Sequence, residues 1–518
     1  MTQEYTPLQR IATSTFQQYA NDDAIFVECL HGYRYPLLID CNRLLRQLRT
    51  VLRTASPSLA CGRGSTIYFV KRRTYSREKL DQFILITVIL LHCRKMADDR
   101  LDIIIFGATG FTGTYVVKNA ADICKDLNIK FGVAGRRKEA LDAVVKEYAS
   151  DIENVPIILA DVKDEESLKK MTEQAKILIN CCGPFRFYGE PVIKACLATR
   201  THYVDITGET EFMEEMQLKY NEAAKETGVY IVTACGFDCI PSDLGVIFAQ
   251  QKFGGEVNAV EIYMSTWSTE PERKGSVLNY GTWESAIHSI ASRNELRELR
   301  RKLYPTKLPE FTPKLKSRGI VHKSDISEGW SIPFLSADRA VNYRTQRFLY
   351  DKYKERPAQV QFYATFKTFF DFLMVSIVGM LMLIMSRTAC GRNILLRYPA
   401  LFTNGLISHE NPDRETQKSA HFSMTFKATG WTEKLPEPTD KHTDAPNKTV
   451  ITKVSGVSPA YEMTSIVVIL SAITILTESD KIPDNGGVLP PGAAFGKTSM
   501  IEQMIKHNIK FEMISSKL

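Results

Sequence analysis

The stretch DIIIFGATGFTGTYVV, Asp102–Val117, constrains the fold more than any other part of this chain. An apolar run, Ile103–Phe106, leads directly into Gly107, Gly110 and Gly113, and Val116, Ala120, Ile123 and Leu127 follow at steps of four, three and four. That spacing lays apolar side chains along one side of a helix. Strand, glycine turn and helix in this order suit a dinucleotide. One glycine makes the turn, one lets the backbone approach a pyrophosphate, and one lets the helix pack close to the sheet. The pyrophosphate then meets free N–H groups at the positive end of the helix. Gly107, Thr109, Gly110, Phe111, Thr112 and Gly113 are therefore the candidate cofactor-binding residues of the loop.

The alternation continues through KFGVAGRR, VPIILAD, KILINCCG, THYVDIT and GVYIVTACG, which implies a parallel sheet covered on both faces. The end of the second strand selects the cofactor. An NAD-binding chain carries an acid there for the ribose 2′-hydroxyl, whereas this one carries Arg136 and Arg137. Two guanidinium groups suit a 2′-phosphate by charge and by forked hydrogen bonding, so NADP(H) is expected. Asp161, ending the third strand, is placed to reach the adenine edge. Asn180–Gly183 would pass beneath the nicotinamide ribose.

Past residue 255 the pattern changes to longer alternating runs, EVNAVEIYMSTW, HFSMTFKATGW and TVITKVSG, which suit an antiparallel sheet. The expected fold class is α/β: a Rossmann-type parallel sheet domain plus an α+β domain with a largely antiparallel sheet. The expected boundaries are a poorly structured basic extension at 1–95, the NADP-binding domain at 96–245, a substrate- or lipid-facing domain at 246–480, and a tail at 481–518 returning to the first domain.

The net charge of +7 does not describe a nucleic-acid face. Fourteen of the 66 basic and seven of the 59 acidic residues fall in 1–95, leaving 52 against 52 in the rest. Eleven cysteines without paired ligand spacing suggest reduced thiols in a cytosol-facing protein and no metal site. GAAFGKTS near the C-terminus imitates a phosphate loop, but Gly492 and Gly496 are one residue too close and no strand is expected before them.

Taken together, IIIFGATGFTG, NCCGPFRFYGEPVIKAC, THYVDITGE, CGFDCIPSDLG and PPGAAFG resemble the saccharopine dehydrogenase-like oxidoreductase family. The likeness runs from about Met96 to the C-terminus. It implies an NADP-type Rossmann domain joined to an α/β domain, and a kinship with bacterial trans-acting enoyl reductases, which act in assembly of complex lipids. It also implies lipid-droplet or mitochondrial association, with glycolipid biosynthesis as the process. The expected function is an NADP(H)-dependent oxidoreductase acting on a lipid-like enoyl or carbonyl substrate. Two alternatives are a lipid-droplet scaffold with a vestigial nucleotide site and a lysine-pathway saccharopine dehydrogenase.

Ligands of such sheets bind beyond the carboxyl ends of the strands. There GPFRFYGE supplies Arg186 and Tyr188, and GFDCIPSD supplies Asp238. Tyr188 suits a proton donor, Arg186 a group that polarises a carbonyl, and Asp238 completes the candidate catalytic set. The apolar block Phe372–Met385, with Phe369 and Phe370 before it and Arg387 and Arg392 after it, is too short for a standard span of about 20 residues. Aromatic residues and a basic flank suit shallow insertion in a lipid droplet or membrane surface. SPAYEMTSIVVILSAITILTE, equally apolar, reads as a core helix. An oligomer is compatible with the sequence, and no nucleic-acid partner is expected.

Overall fold

The computed structural model describes residues 100–517, apart from 271–274, 294, 317 and 335. The expected extension 1–95 lies outside the described residues. The first half alternates without a break: β1 (Leu101–Phe106), α1 (Phe111–Asp126), β2 (Phe131–Gly135), α2 (Lys138–Tyr148), β3 (Ile157–Leu159), α3 (Glu165–Thr172), β4 (Ala175–Asn180), α4 (Phe185–Thr199), β5 (His202–Asp205), α5 (Thr210–Thr227), β6 (Tyr230–Val232) and α6 (Cys239–Phe253). These strands form a parallel sheet in the order β3-β2-β1-β4-β5-β6, extended by β12 (Gly487–Leu489) beside β6. Chain order reverses between β1 and β4, which opens a crevice at their carboxyl ends. β1 shows why the apolar run becomes a strand. Ile103 and Ile105 enter the core on one face of the sheet, and Ile104 and Phe106 enter that on the other.

The second sheet runs β13-β11-β10-β7-β9-β8, from β7 (Glu256–Ser268), β8 (Trp330–Pro333), β9 (Gln359–Phe366), β10 (Ala420–Trp431), β11 (Lys448–Val457) and β13 (Lys510–Lys517). Its pairs are antiparallel except β7 with β9. Between its strands lie α7 (Tyr280–Ala291), α8 (Glu295–Leu303), α9 (Ala337–Tyr353), α10 (Phe369–Met385), α11 (Ala389–Arg397), the single turn α12 (Pro399–Phe402) and α13 (Arg414–Lys418).

One core joins the two sheets, because α6 packs against β10 and β11 as well as following β6. A Cβ at Gly245 would fall 2.1 Å from the Phe426 ring, so glycine allows the helix to lie this close. α14 (Thr464–Thr477), the core helix expected from its apolar sequence, covers α1, β4 and β5 and buries Val467–Ala472. The C-terminal tail divides. β12 joins the parallel sheet, whereas β13 joins the edge of the other.

Candidate active site

β1 delivers the chain to Gly107, whose φ of +82° lies in the left-handed region that favours glycine. A Cβ there would stand 2.8 Å from Cys182 Sγ, and one at Gly113 would stand 2.1 Å from the Gly107 carbonyl oxygen. The Gly110 N–H donates to that carbonyl at 2.9 Å. Gly110 caps α1 without a side-chain acceptor, and the first turn holds no acid. The N–H groups of Phe111, Thr112 and Gly113 find no backbone acceptor among the described residues. A bare, positive helix end with space cleared by glycine is the chemistry a pyrophosphate requires.

Arg136 and Arg137 stand exposed just past β2, and neither forms an ion pair among the described residues. Arg136 and Asp161 act in opposite senses on the Cys182 thiol, which stands against Gly107. Burial is the larger effect and pushes that thiol up to about 12. Asp161 Oδ1 accepts the Lys163 N–H at 3.0 Å. Gly183 is exposed, but the Asn180 side chain is fully buried. Its Oδ1 accepts the Cys182 N–H at 3.0 Å, and its Nδ2 donates to the Tyr203 hydroxyl at 3.1 Å. That hydroxyl donates to Asp205, which also accepts the N–H groups of Thr207 and Ala234. The chain of buried groups ties the ends of β4, β5 and β6 together and holds the floor beneath Gly107. These residues fit NADP(H).

The candidate catalytic residues follow two different strands, β4 and β6. Arg186 and Tyr188 lie in the first turn of α4, held by Glu209, which is only 1 % exposed. Glu209 accepts the N–H groups of Phe185 (2.8 Å) and Arg186 (3.0 Å), and the Ser285 hydroxyl of α7 (2.9 Å). A carboxylate at a helix N-terminus is stabilised by the dipole as well as by these bonds. One Arg186 guanidinium nitrogen donates to the His288 carbonyl at 3.0 Å, and the His288 ring meets Phe187 edge-on. The half-buried Tyr188 hydroxyl makes no hydrogen bond among the described residues. His288 itself is kept below its usual range, mainly by burial, with Glu284 opposing and Arg186 and Arg392 adding to the effect.

Asp238 occupies a different setting. It precedes α6 with φ +75°, and Ala234 in the same loop has φ +63°. Burial, reinforced by Asp338 of α9, raises its carboxyl well above the usual range. Cys239, next to it in sequence, forms a separate small apolar cluster with Met213, Ala234 and Val341. Contrary to the sequence reading, a strand, β12, does precede GAAFGKTS. The imitation phosphate site is nonetheless filled from within: Asp243 accepts the Gly492 N–H at 2.6 Å, where a ligand oxygen would sit.

His288 and Tyr461 are the site neighbours that the sequence did not single out as functional, whereas Glu209 of THYVDITGE stands at a strand end, where ligands of such sheets bind. Tyr461 packs edge-on to Phe111 with centroids 4.7 Å apart, and its hydroxyl accepts the Asn279 N–H at 2.7 Å. Only the fold brings these distant positions together, so no local spacing could have signalled them.

A parallel sheet reversing at a glycine loop, with free arginines past its second strand, defines a dinucleotide-binding protein of the NADP(H) type. Residues 103–232 match the family described as the Saccharopine dehydrogenase NADP binding domain. The chain is 38% identical to the saccharopine dehydrogenase-like oxidoreductase of Homo sapiens, over 80% of its own length and 97% of the other. It is 32% identical to the lipid droplet localized protein of Caenorhabditis elegans, over 80% and 99%. A stretch covering 36% of the chain is 32% identical to 44% of the trans-acting enoyl reductase of Mycobacterium ulcerans. The chain belongs to the saccharopine dehydrogenase-like oxidoreductase family.

Proposed function

We propose that this chain is an NADP(H)-dependent oxidoreductase that acts on the enoyl or carbonyl group of a lipid-like substrate while docked on a lipid droplet or membrane surface. Glycolipid biosynthesis is the process in which we place it. The observation that carries the reading is α10. It is seventeen residues long, with Asp371 its one charge, and Phe372 is its one buried residue. Phe370 is 67% exposed, Met380 60% and Ile384 57%. Contiguous exposed apolar surface of this kind marks an interaction site. Lys367 before the helix and Arg387 and Arg397 after it are exposed, which suits a helix lying flat among anionic headgroups. The worm relative's name and the enoyl reductase relative's name support the same reading.

In this reading the bare end of α1 receives the pyrophosphate, Arg136 and Arg137 hold the 2′-phosphate, and Asp161 meets the adenosine side. Bound NADPH supplies a hydride. Arg186 keeps guanidinium donors beyond the one given to His288, and these orient and polarise the acceptor oxygen. Tyr188 gives the matching proton from its free hydroxyl and regains one from water, so that hydride plus proton reduce one double bond. The test is NADPH consumption by the full chain with enoyl- or keto-lipids presented in vesicles. Turnover that requires lipid and falls at least about a hundredfold in Tyr188→Phe, a general-acid loss of the usual size, supports the proposal. Consumption that is independent of every lipid offered contradicts it.

A further inference from the structure

α7 has two working faces. Trp283 and Ile287, four residues apart, point to one side, and Ser285 and His288 point to the other, as helical geometry requires. On the first side the Trp283 indole N–H donates to the Leu395 carbonyl at 2.9 Å. Trp283 and Ile287 also share a small core with Leu395 of α11 and with Val378 and Met382 of α10. This core is the inner side of the helices whose outer side exposes α10, Ile394 and Leu401. On the second side Ser285 donates to Glu209 and His288 accepts from Arg186, the contacts that hold the first turn of α4. The segment leading into α7 is tied to both regions. The Val277 and Leu278 N–H groups donate to the Leu406 carbonyl, and the Asn279 N–H donates to Tyr461, which packs on the glycine loop.

We infer that α7 is a positioning helix through which docking on an anionic lipid surface sets the catalytic turn 183–190. The inference rests on the lipid-docking reading above. Its partner is a phospholipid surface contacted by α10 together with the α11–α12 corner, where Leu401 is 76% exposed. The α11–α12 corner extends the docking surface beyond the apolar block visible in the sequence. A lipid can shift the site only by the difference in its affinity for two arrangements. The helices that meet lipid on one side meet α7 on the other, and this gives such a difference a path to Glu209 and Arg186.

The experiment is hydrogen–deuterium exchange on the full chain with NADPH, with and without phosphatidylcholine–phosphatidylserine vesicles, with co-flotation measured in parallel. The expected result is co-flotation together with at least a twofold change in exchange at 183–190 and 280–291. Ser285→Ala, which removes the bond to Glu209, keeps the Arg186 bond to the His288 carbonyl and leaves the lipid side intact, should still co-float but show a smaller change at 183–190. Trp283→Phe, which keeps a smaller aromatic ring in the core and removes the bond to Leu395, should do the same from the other side. Co-flotation with unchanged exchange at 183–190 overturns the coupling and leaves the docking reading standing. A change at 183–190 that persists undiminished in both variants also overturns it. Failure to co-float overturns the docking reading, and the coupling with it.

Discussion

Gly113 has no room for a side chain. A Cβ would lie 2.1 Å from the Gly107 carbonyl oxygen, so Gly113→Ala must push α1 away from the loop. Forced overpacking of this kind costs about 1–3 kcal/mol. The variant is expected to melt lower and to bind NADPH at least about tenfold more weakly, because the helix end no longer faces the pyrophosphate. Titration by NADPH fluorescence, with calorimetric melting alongside, checks both. Asp205 tests the floor of the site. Burial is the chief cause that raises its carboxyl to about 7, against the pull of the N–H groups it accepts and of Tyr203. A carboxyl that holds its proton more tightly when folded stabilises the fold fully below the ordinary aspartate value. That contribution is lost as pH rises from about 4 to about 7. Asp205→Asn should therefore flatten the decline in melting temperature across that window, and an unchanged slope in calorimetry would count against this origin. The glycines, the arginines and Asp161 were legible as residues because their chemistry is local to a strand end. The Glu209 clamp was not, since its partners lie 24 and 76 positions away in sequence.

Two helices of similar apolarity show what an element's sequence conveys and what it omits. α14 is buried from Val467 to Ala472 against α1, β4 and β5, whereas α10 keeps most of its apolar side chains at the surface. Composition reveals helix and hydrophobicity. Burial depends on whether another element arrives to cover the face, and that is set by topology. The sequence offered two cues, the aromatic residues at the start of α10 and the basic residues after it, which a core helix would not need. Because Phe370 and Ile384 are exposed, Phe370→Glu with Ile384→Glu should alter stability by less than about 0.5 kcal/mol per site. The same pair should abolish co-flotation with anionic vesicles, and retained flotation would remove α10 from the docking surface. β12 illustrates the opposite difficulty. Three residues are too few to show a strand period, and β12 forms because β6 offers it a parallel edge.

At the scale of the molecule, the parallel sheet, its second antiparallel-rich partner and the nucleotide loop were all readable, because strand alternation and turn chemistry repeat along the chain. The joining of the sheets was not. It depends on α6 serving both cores, on Gly245 admitting Phe426, and on a tail that gives one strand to each sheet. Asp238 shows the same limit, since its buried setting depends on Asp338 of α9, far along the chain. The nucleotide site depends on all of this assembly, because α14 and Tyr461 from the second half pack on α1. We propose that its central property is selectivity for NADP(H) through Arg136 and Arg137. The most direct measurement is the equilibrium affinity of the full chain for NADPH and NADH, with an Arg136→Ala, Arg137→Ala double variant beside it. The account predicts NADPH the tighter ligand, with the preference falling by about 10–100-fold in the variant, the range expected for lost charge-assisted bonds. A folded chain that binds NADH as well as NADPH, or a preference untouched by the double substitution, would contradict it.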